Sequence, residues 1–191
     1  MASEQQRQVA FTEMKDGTDE DYQILAGYEP TDRTELVAHL LDLLDRLKGP
    51  LLGYPVDRYL HSLQTATRAA RGGADDDMVV AALFHDIGDI IAPDNHAQVA
   101  AAILRPYVSE RTYWVVLHHG IFQGYYFWHH YGGDRDARDK HRDHPHYDAC
   151  VEFCRDWDQN AFDPAYDTMT LDAFLPLVDR IIVKPADRYK R

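Results

Sequence analysis

Apolar residues recur along most of the chain at intervals of three and four, the spacing that gathers them on one face of an α-helix. Leu36, Leu40, Leu43, Leu44 and Leu47 mark such a face, with Asp32 and Glu35 ahead of it in a capping-box arrangement and Gly49-Pro50 behind it as a stop. The same spacing predicts a helix over about 56–71, closed by Gly72 and Gly73, and another over 75–86 that breaks at Gly88. Asp76 and Asp77 suit the positive end of the latter. Asp94 is expected to cap a helix carrying His96, Val99, Ala100, Ile103 and Leu104, which Pro106 stops. Ser109 is expected to cap the next, with Trp114, Val115 and Leu117 inside it, His118 and His119 at its end and Gly120 as the interruption. The aromatic run FQGYYFWHHYGG then predicts a further helix or half-buried turn, and the charged stretch GDRDARDKHRDHP a solvated loop or short helix. Two last helices are expected over 147–159 and 171–183. No segment alternates with period two for long enough to make a sheet, and no repeat is visible, so the predicted fold class is all-α. The first thirty residues and the last six are expected to be the mobile parts.

With 45% hydrophobic residues among 191, the chain can bury the core of one domain. Its 32 acidic and 20 basic residues leave a formal charge of -12, which repels phosphate backbones and anionic lipid. Nucleic acid and membrane surfaces are therefore not expected as partners. No apolar stretch reaches the ~20 residues that span a bilayer. The opening MASEQQRQVAFTEMKDG has neither a basic start nor an apolar signal core, so a cytoplasmic location is expected. Cys150 and Cys154, four residues apart in a helical pattern, read as core thiols rather than as a redox pair or zinc knuckle.

Eleven histidines change the picture. His61 sits among apolar and small residues in HSLQTA; His85 and Asp86 stand side by side where the run MVVAALF ends. His96 opens a helix after APDN, His118 and His119 close another, and Asp158 lies in RDWDQ. Imidazole with carboxylate and no thiolate suits iron, manganese or zinc, and a carboxylate between two ions offsets their repulsion. Asp86 is placed for that.

The order His61, His85-Asp86, Asp158 resembles the HD-domain metalloprotein superfamily, named for the adjacent pair. With His96 and His119 it is similar to the dinuclear branch. The flanking text HSLQTA, AALFHDIG, NHAQVAAAIL and RDWDQ resembles the mixed-valent diiron oxygenase group, which includes organophosphonate-cleaving oxygenases and, more distantly, myo-inositol oxygenase. The similarity spans about residues 51 to 165. It implies a single-domain helical bundle over 31–185 behind an N-terminal extension, 1–30, built around two iron ions, Fe(II) and Fe(III), with manganese or zinc as alternatives. His61, His85, Asp86 and Asp158 would hold one ion, and Asp86, His96 and His119 the other; His118 stays open as an alternative to His119. The implied activity is oxidative cleavage of a carbon-carbon or carbon-heteroatom bond of a small-molecule substrate by dioxygen, and a homodimer is left open. A metal-dependent HD phosphohydrolase acting on a phosphate ester is the alternative, and a non-catalytic metal-stabilised binding protein the second.

The chain also departs from the pattern. In the phosphonate-cleaving relatives a tyrosine and a glutamate before the first histidine cover the open iron; here LLGYPVDRYLH puts Leu51 and Tyr54 in their places. Basic residues that grip phosphonate are replaced by Asp89 and Gln123, which favours an amine or a neutral polar substrate, with Tyr125, Tyr126, Phe127 and Trp128 to supply aromatic faces. Arg155 matches an arginine of that group, although pairing with Asp156 or Glu152 would explain it equally. Together Tyr54, Gln64, Asp89, His118, Gln123 and Arg155 are the expected substrate-binding or supporting residues. The loop histidines His141, His144 and His146 are expected to be solvated or to form a lid.

Overall fold

A computed structural model describes residues 7–28 and 34–182. The fold is all-α, with no strand among the described residues. The chain forms two compact units, Met1–Arg33 and Thr34–Arg191.

In the first unit a short 3-10 turn, Met14–Asp16, precedes helix α1, Asp19–Tyr28. Thr18 and Asp21 cap α1 reciprocally: Thr18 N–H donates to Asp21 Oδ2 at 2.9 Å, and Asp21 N–H donates to Thr18 Oγ1 at 3.3 Å. Part of the region expected to be mobile is thus a capped helix. Its weak apolar pattern hid it, although the Thr-x-x-Asp signal was present.

The second unit carries α2 (Thr34–Asp45), α3 (Arg58–Arg71), α4 (Asp76–Phe84), α5 (His96–Leu104), α6 (Glu110–Phe127), α7 (Tyr147–Glu152) and α8 (Leu175–Ile182). Three starts follow from side-chain caps. Asp57 accepts from Leu60 N at 2.8 Å, Asp75 from Met78 N at 3.1 Å, and Ser109 Oγ from Thr112 N at 3.2 Å. Beyond its acidic first turn helix α4 is apolar all round, and Met78 through Phe84 are all buried, so it takes the centre of the bundle. Helices α3, α6 and α8 pack against it, α5 packs on α6, and α2 on α8. No helix of the described residues is long and apolar enough to cross a membrane.

Several boundaries differ from expectation. Asp94 does not cap α5: a 3-10 turn, Pro93–Asn95, intervenes, and Asn95 takes the cap position without a side-chain bond. Helix α6 runs straight through Gly120. A glycine inside a helix costs about 1 kcal/mol, which burial of Trp114, Val115, Val116 and Phe122 along the same helix outweighs. The charged stretch contributes a 3-10 turn, Ala137–His141. Beyond α7 the chain widens into a π-helical turn, Phe153–Asp158, with Gln159 N–H bonding back five residues to Cys154 O at 3.0 Å. The expected cap Asp32, Val183 and the last six residues lie outside the described residues.

Candidate metal centre

Five elements of the second unit deliver six side chains to one place. His61 stands one turn inside α3, and His96 is the first residue of α5. His119 lies in the middle of α6 rather than at its end, and Asp158 closes the π-helical turn. His85 caps the C-terminus of α4; Asp86, at φ -102 and ψ 4, leaves the helical path for the 3-10 turn Ile87–Ile90. That departure lets two neighbouring side chains reach the same point. Gly88 allows the remaining approach, since a Cβ on it would lie 2.3 Å from the carbonyl oxygen of His96.

Each of the four imidazoles is oriented alike. The Nδ1 of His61, His85, His96 and His119 lies 3.1, 2.8, 3.0 and 2.7 Å from the carbonyl oxygens of Ala161, Ala82, Pro93 and Val116. A neutral ring that donates through Nδ1 carries its lone pair on Nε2. The Nε2 atoms then meet in pairs, His61 with His85 at 3.2 Å and His96 with His119 at 3.2 Å. Two lone pairs at that distance repel, and a cation between them reverses the sign.

The carboxylates complete the pattern. Asp86 Oδ2 lies 3.5 Å from Nε2 of both His61 and His85, while its Oδ1 lies 3.5 and 3.4 Å from Nε2 of His96 and His119. Asp158 Oδ1 is 3.1 Å from His61 and 3.7 Å from His85. Its Oδ2 is buried with no hydrogen-bond partner among the described residues, a cost that a bound cation removes. The donor set is wholly nitrogen and oxygen. Cys154 instead points its Sγ at His119 O (3.5 Å) and Cys150 at Val115 O (3.7 Å), so both thiols are buried structural groups. On geometry and on unmet polar valence the residues fit metal ions, and the combinations His61-His85-Asp86, His85-His119-Asp158 and Asp86-His96-His119 could each hold one.

The electrostatics of the protein groups point the same way. Burial would lower the pKa of His85, yet Asp86 and Asp158 overcome it and push it up to about 9. Burial would raise both carboxylates; His85 most strongly for Asp86, and hydrogen bonds from His61 and His85 for Asp158, hold them well below the usual range instead. The cluster keeps its anions and seeks positive charge.

Around it lies a cavity of about 860 Å³. Tyr54, His118 and Gln123 line it, and the Gln123 Oε1 is buried without a partner among the described residues. Tyr126, Phe127 and Trp128 line it too, whereas Tyr125 lies under the guanidinium groups of Arg135 and Arg138. Three residues expected to bind substrate or support the site are engaged with other protein groups. Gln64 is fully buried and ties the backbone of Asp163, donating to its carbonyl at 2.7 Å. Arg155 is exposed and forms a two-pronged pair with Asp156 at 2.7 and 2.6 Å. Asp89 does not offer its charge to the cavity: its Oδ2 lies 3.3 Å from Arg58 Nε, and its Oδ1 3.2 Å from His96 Nδ1. His118 turns to Trp114, bonding its carbonyl at 2.9 Å, and stays out of the cluster.

Sequence reasoning passed over Arg58, which sits 3.6 Å from Asp86 Oδ2. Its place three residues before His61 on one helix put it on the same face and was a usable signal. Phe162 was missed as well. It stacks on His61 at 4.5 Å and on Tyr54 at 5.3 Å between ring centres, and nothing in its flanking text foretold that.

A family model for the HD domain matches residues 58–190, more than half of the chain. The chain belongs to the HD domain family. HD domains bind divalent metals, and the family is generally enzymatic, comprising metal-dependent phosphohydrolases and oxygenases. The match opens at Arg58 and takes in every residue of the cluster. Comparison with curated proteins gives no match.

Proposed function

We propose that the protein is a dinuclear iron oxygenase that uses dioxygen to cleave a carbon-carbon or carbon-heteroatom bond of a small polar molecule. The observation that carries this reading is the division of Asp86, one oxygen toward His61 and His85 and the other toward His96 and His119. A one-ion HD site needs only the first set, and a second pair of facing imidazoles calls for a second cation.

In this reading His61, His85, Asp86 and Asp158 would hold one ion, and His96, His119 and the other oxygen of Asp86 would hold the second. Three protein donors against four leave the second ion more room for groups from solution. A bound Fe(II)/Fe(III) pair supplies Lewis acidity toward a substrate hydroxyl and electrons for dioxygen. The Asp89 carboxylate, 3.2 Å from His96 Nδ1, sets negative charge behind the ring whose N–H goes to the Pro93 carbonyl, and so raises the donor strength of the more open half. Arg58 balances the charge of Asp86 and Asp89 from the cavity side. The stack Tyr54-Phe162-His61 walls the closed half from water, and Gln123 Oε1 is an acceptor for a substrate hydroxyl or amide.

The test is metal analysis, low-temperature electron paramagnetic resonance and oxygen uptake on protein purified with and without air. Two irons per chain, a mixed-valent signal and substrate-dependent oxygen consumption are expected. Manganese or zinc in the site, with phosphate released from esters and no oxygen uptake, overturns the reading in favour of hydrolysis. Metal retained with neither activity across a broad panel makes the protein a binding module.

A further inference from the structure

We infer that Gly120 and the apolar side chains around it on α6, Leu117, Ile121, Phe127 and Trp128, form a subsite for an apolar tail of the substrate, which is therefore an amphiphile with its polar head at the metals. The inference rests on the proposed function for the use of the cavity and adds a second half to the molecule that enters it.

At about 100° per residue, Leu117, Gly120, Ile121, Phe127 and Trp128 fall within roughly 120° of the circumference of α6 and its C-terminal cap. All five line the cavity that Asp86, His96, His119 and Asp158 also line. Val115, His119 and Phe122, all buried, occupy the opposite side of the helix. The apolar arc thus faces away from the core that holds α6 in place. Leu117, Ile121 and Trp128 are half-buried, and Phe127 is 42% exposed. Phe127 stands two helical turns beyond His119, about 12 Å along the axis, so the arc leads from the metal cluster outward along one wall.

The two glycines of this part of α6 differ in what fills the space beside them. A Cβ on Gly124 would lie 2.4 Å from the Trp128 indole, so that ring lies flat on the helix and closes one end of the wall. A Cβ on Gly120 would meet nothing within 4 Å among the described residues. No protein group accounts for a helix interior without a side chain there, against helix propensity, and the bare backbone leaves a trough in the cavity wall. The cavity is also larger than a polar head needs. Its volume of about 860 Å³ lies in the upper part of the roughly 300–1,000 Å³ spanned by sites for drug-sized ligands. Apolar walls do little for a small polar molecule, whereas each methylene buried against them raises affinity about two- to fourfold. A hydrocarbon chain or ring joined to a metal-binding head suits both halves of the cavity.

Anaerobic calorimetric titration of the metal-loaded full chain with acetohydroxamate, butanohydroxamate and octanohydroxamate tests this, because the three share one metal-binding head and differ only in the tail. Octanohydroxamate should bind on the order of 100-fold more tightly than acetohydroxamate, with butanohydroxamate between them. Gly120→Leu fills the trough and should remove that preference, while raising the unfolding temperature by about 2–4 °C through better helix propensity. Phe127→Ser, at an exposed position, gives an independent reading and should weaken octanohydroxamate about tenfold. Metal content is checked in each variant. Equal affinities for the three hydroxamates overturn the subsite, as does a preference for the long tail that survives both variants. A preference that both variants remove, in a protein that takes up no oxygen, leaves the subsite standing and removes the oxygenase; oxygen uptake without any tail preference does the reverse.

Discussion

The two histidine pairs share one geometry and differ in their surroundings. His61 and His85 are 2% and 1% exposed, with Asp158 beside them and Phe162 stacked on one ring. His96 is 26% exposed, its partner His119 lines the cavity as His61 does, and the second aspartate beside them, Asp89, faces Nδ1 of His96 rather than the Nε2 side. The first pair is built like the core that surrounds it; in the second, His119 is equally buried and His96 is the member that can be reached. One centre thus divides a holding task from an exchanging one, and Asp86 joins the halves.

Removing the shared residue should have the largest effect. Asp86→Ala is expected to empty both halves, with activity falling well beyond the roughly 100-fold that losing an outer hydrogen-bond partner costs a metal site. Metal analysis and turnover would check it, and retention of either ion would separate the halves further than proposed here. Next comes the direct contrast. His85→Ala leaves Asp158 short of a partner in a buried place, and breaking a buried pair costs about 3–5 kcal/mol. At roughly 2–4 °C per kcal/mol for a chain of this size, thermal unfolding should shift by about 10 °C. His96→Ala should also abolish activity and one equivalent of metal, yet move unfolding far less. Equal shifts for the two variants would erase the distinction. Asp89→Asn is expected to weaken the more open ion about 10–100-fold while sparing the closed one, read by competitive chelation. The smallest effect belongs to Ser109→Ala, which removes the α6 cap for about 1 kcal/mol and should leave metal content unchanged.

The all-α class was legible because apolar residues repeat at helical intervals, and the cap Ser109 stands where local chemistry puts it. The six clustered side chains could be named because each lies in a short apolar or helix-end context with little other use for an imidazole or a buried carboxylate. What could not be read depends on tertiary neighbours. Asp89 looked like a free anion until α3 brought Arg58 against it, and Gln64 looked like a substrate contact until residue 163 folded over it. Gly120 carries a helix-breaking tendency that long-range burial overrides. The stretch around Lys140 has too little apolar pattern to announce a cavity wall, and α1 was hidden by the same weakness.

Gly88 sets a length. Its bare backbone touches that of His96, so the separation between the half anchored on α4 and the half anchored on α5 is gauged by a single hydrogen atom standing where other residues carry a side chain. Even one methyl group there would wedge the α5 entry outward, lengthening the span that one carboxylate must bridge. The spacing on which cooperation between the ions depends is therefore written in the smallest residue of the chain.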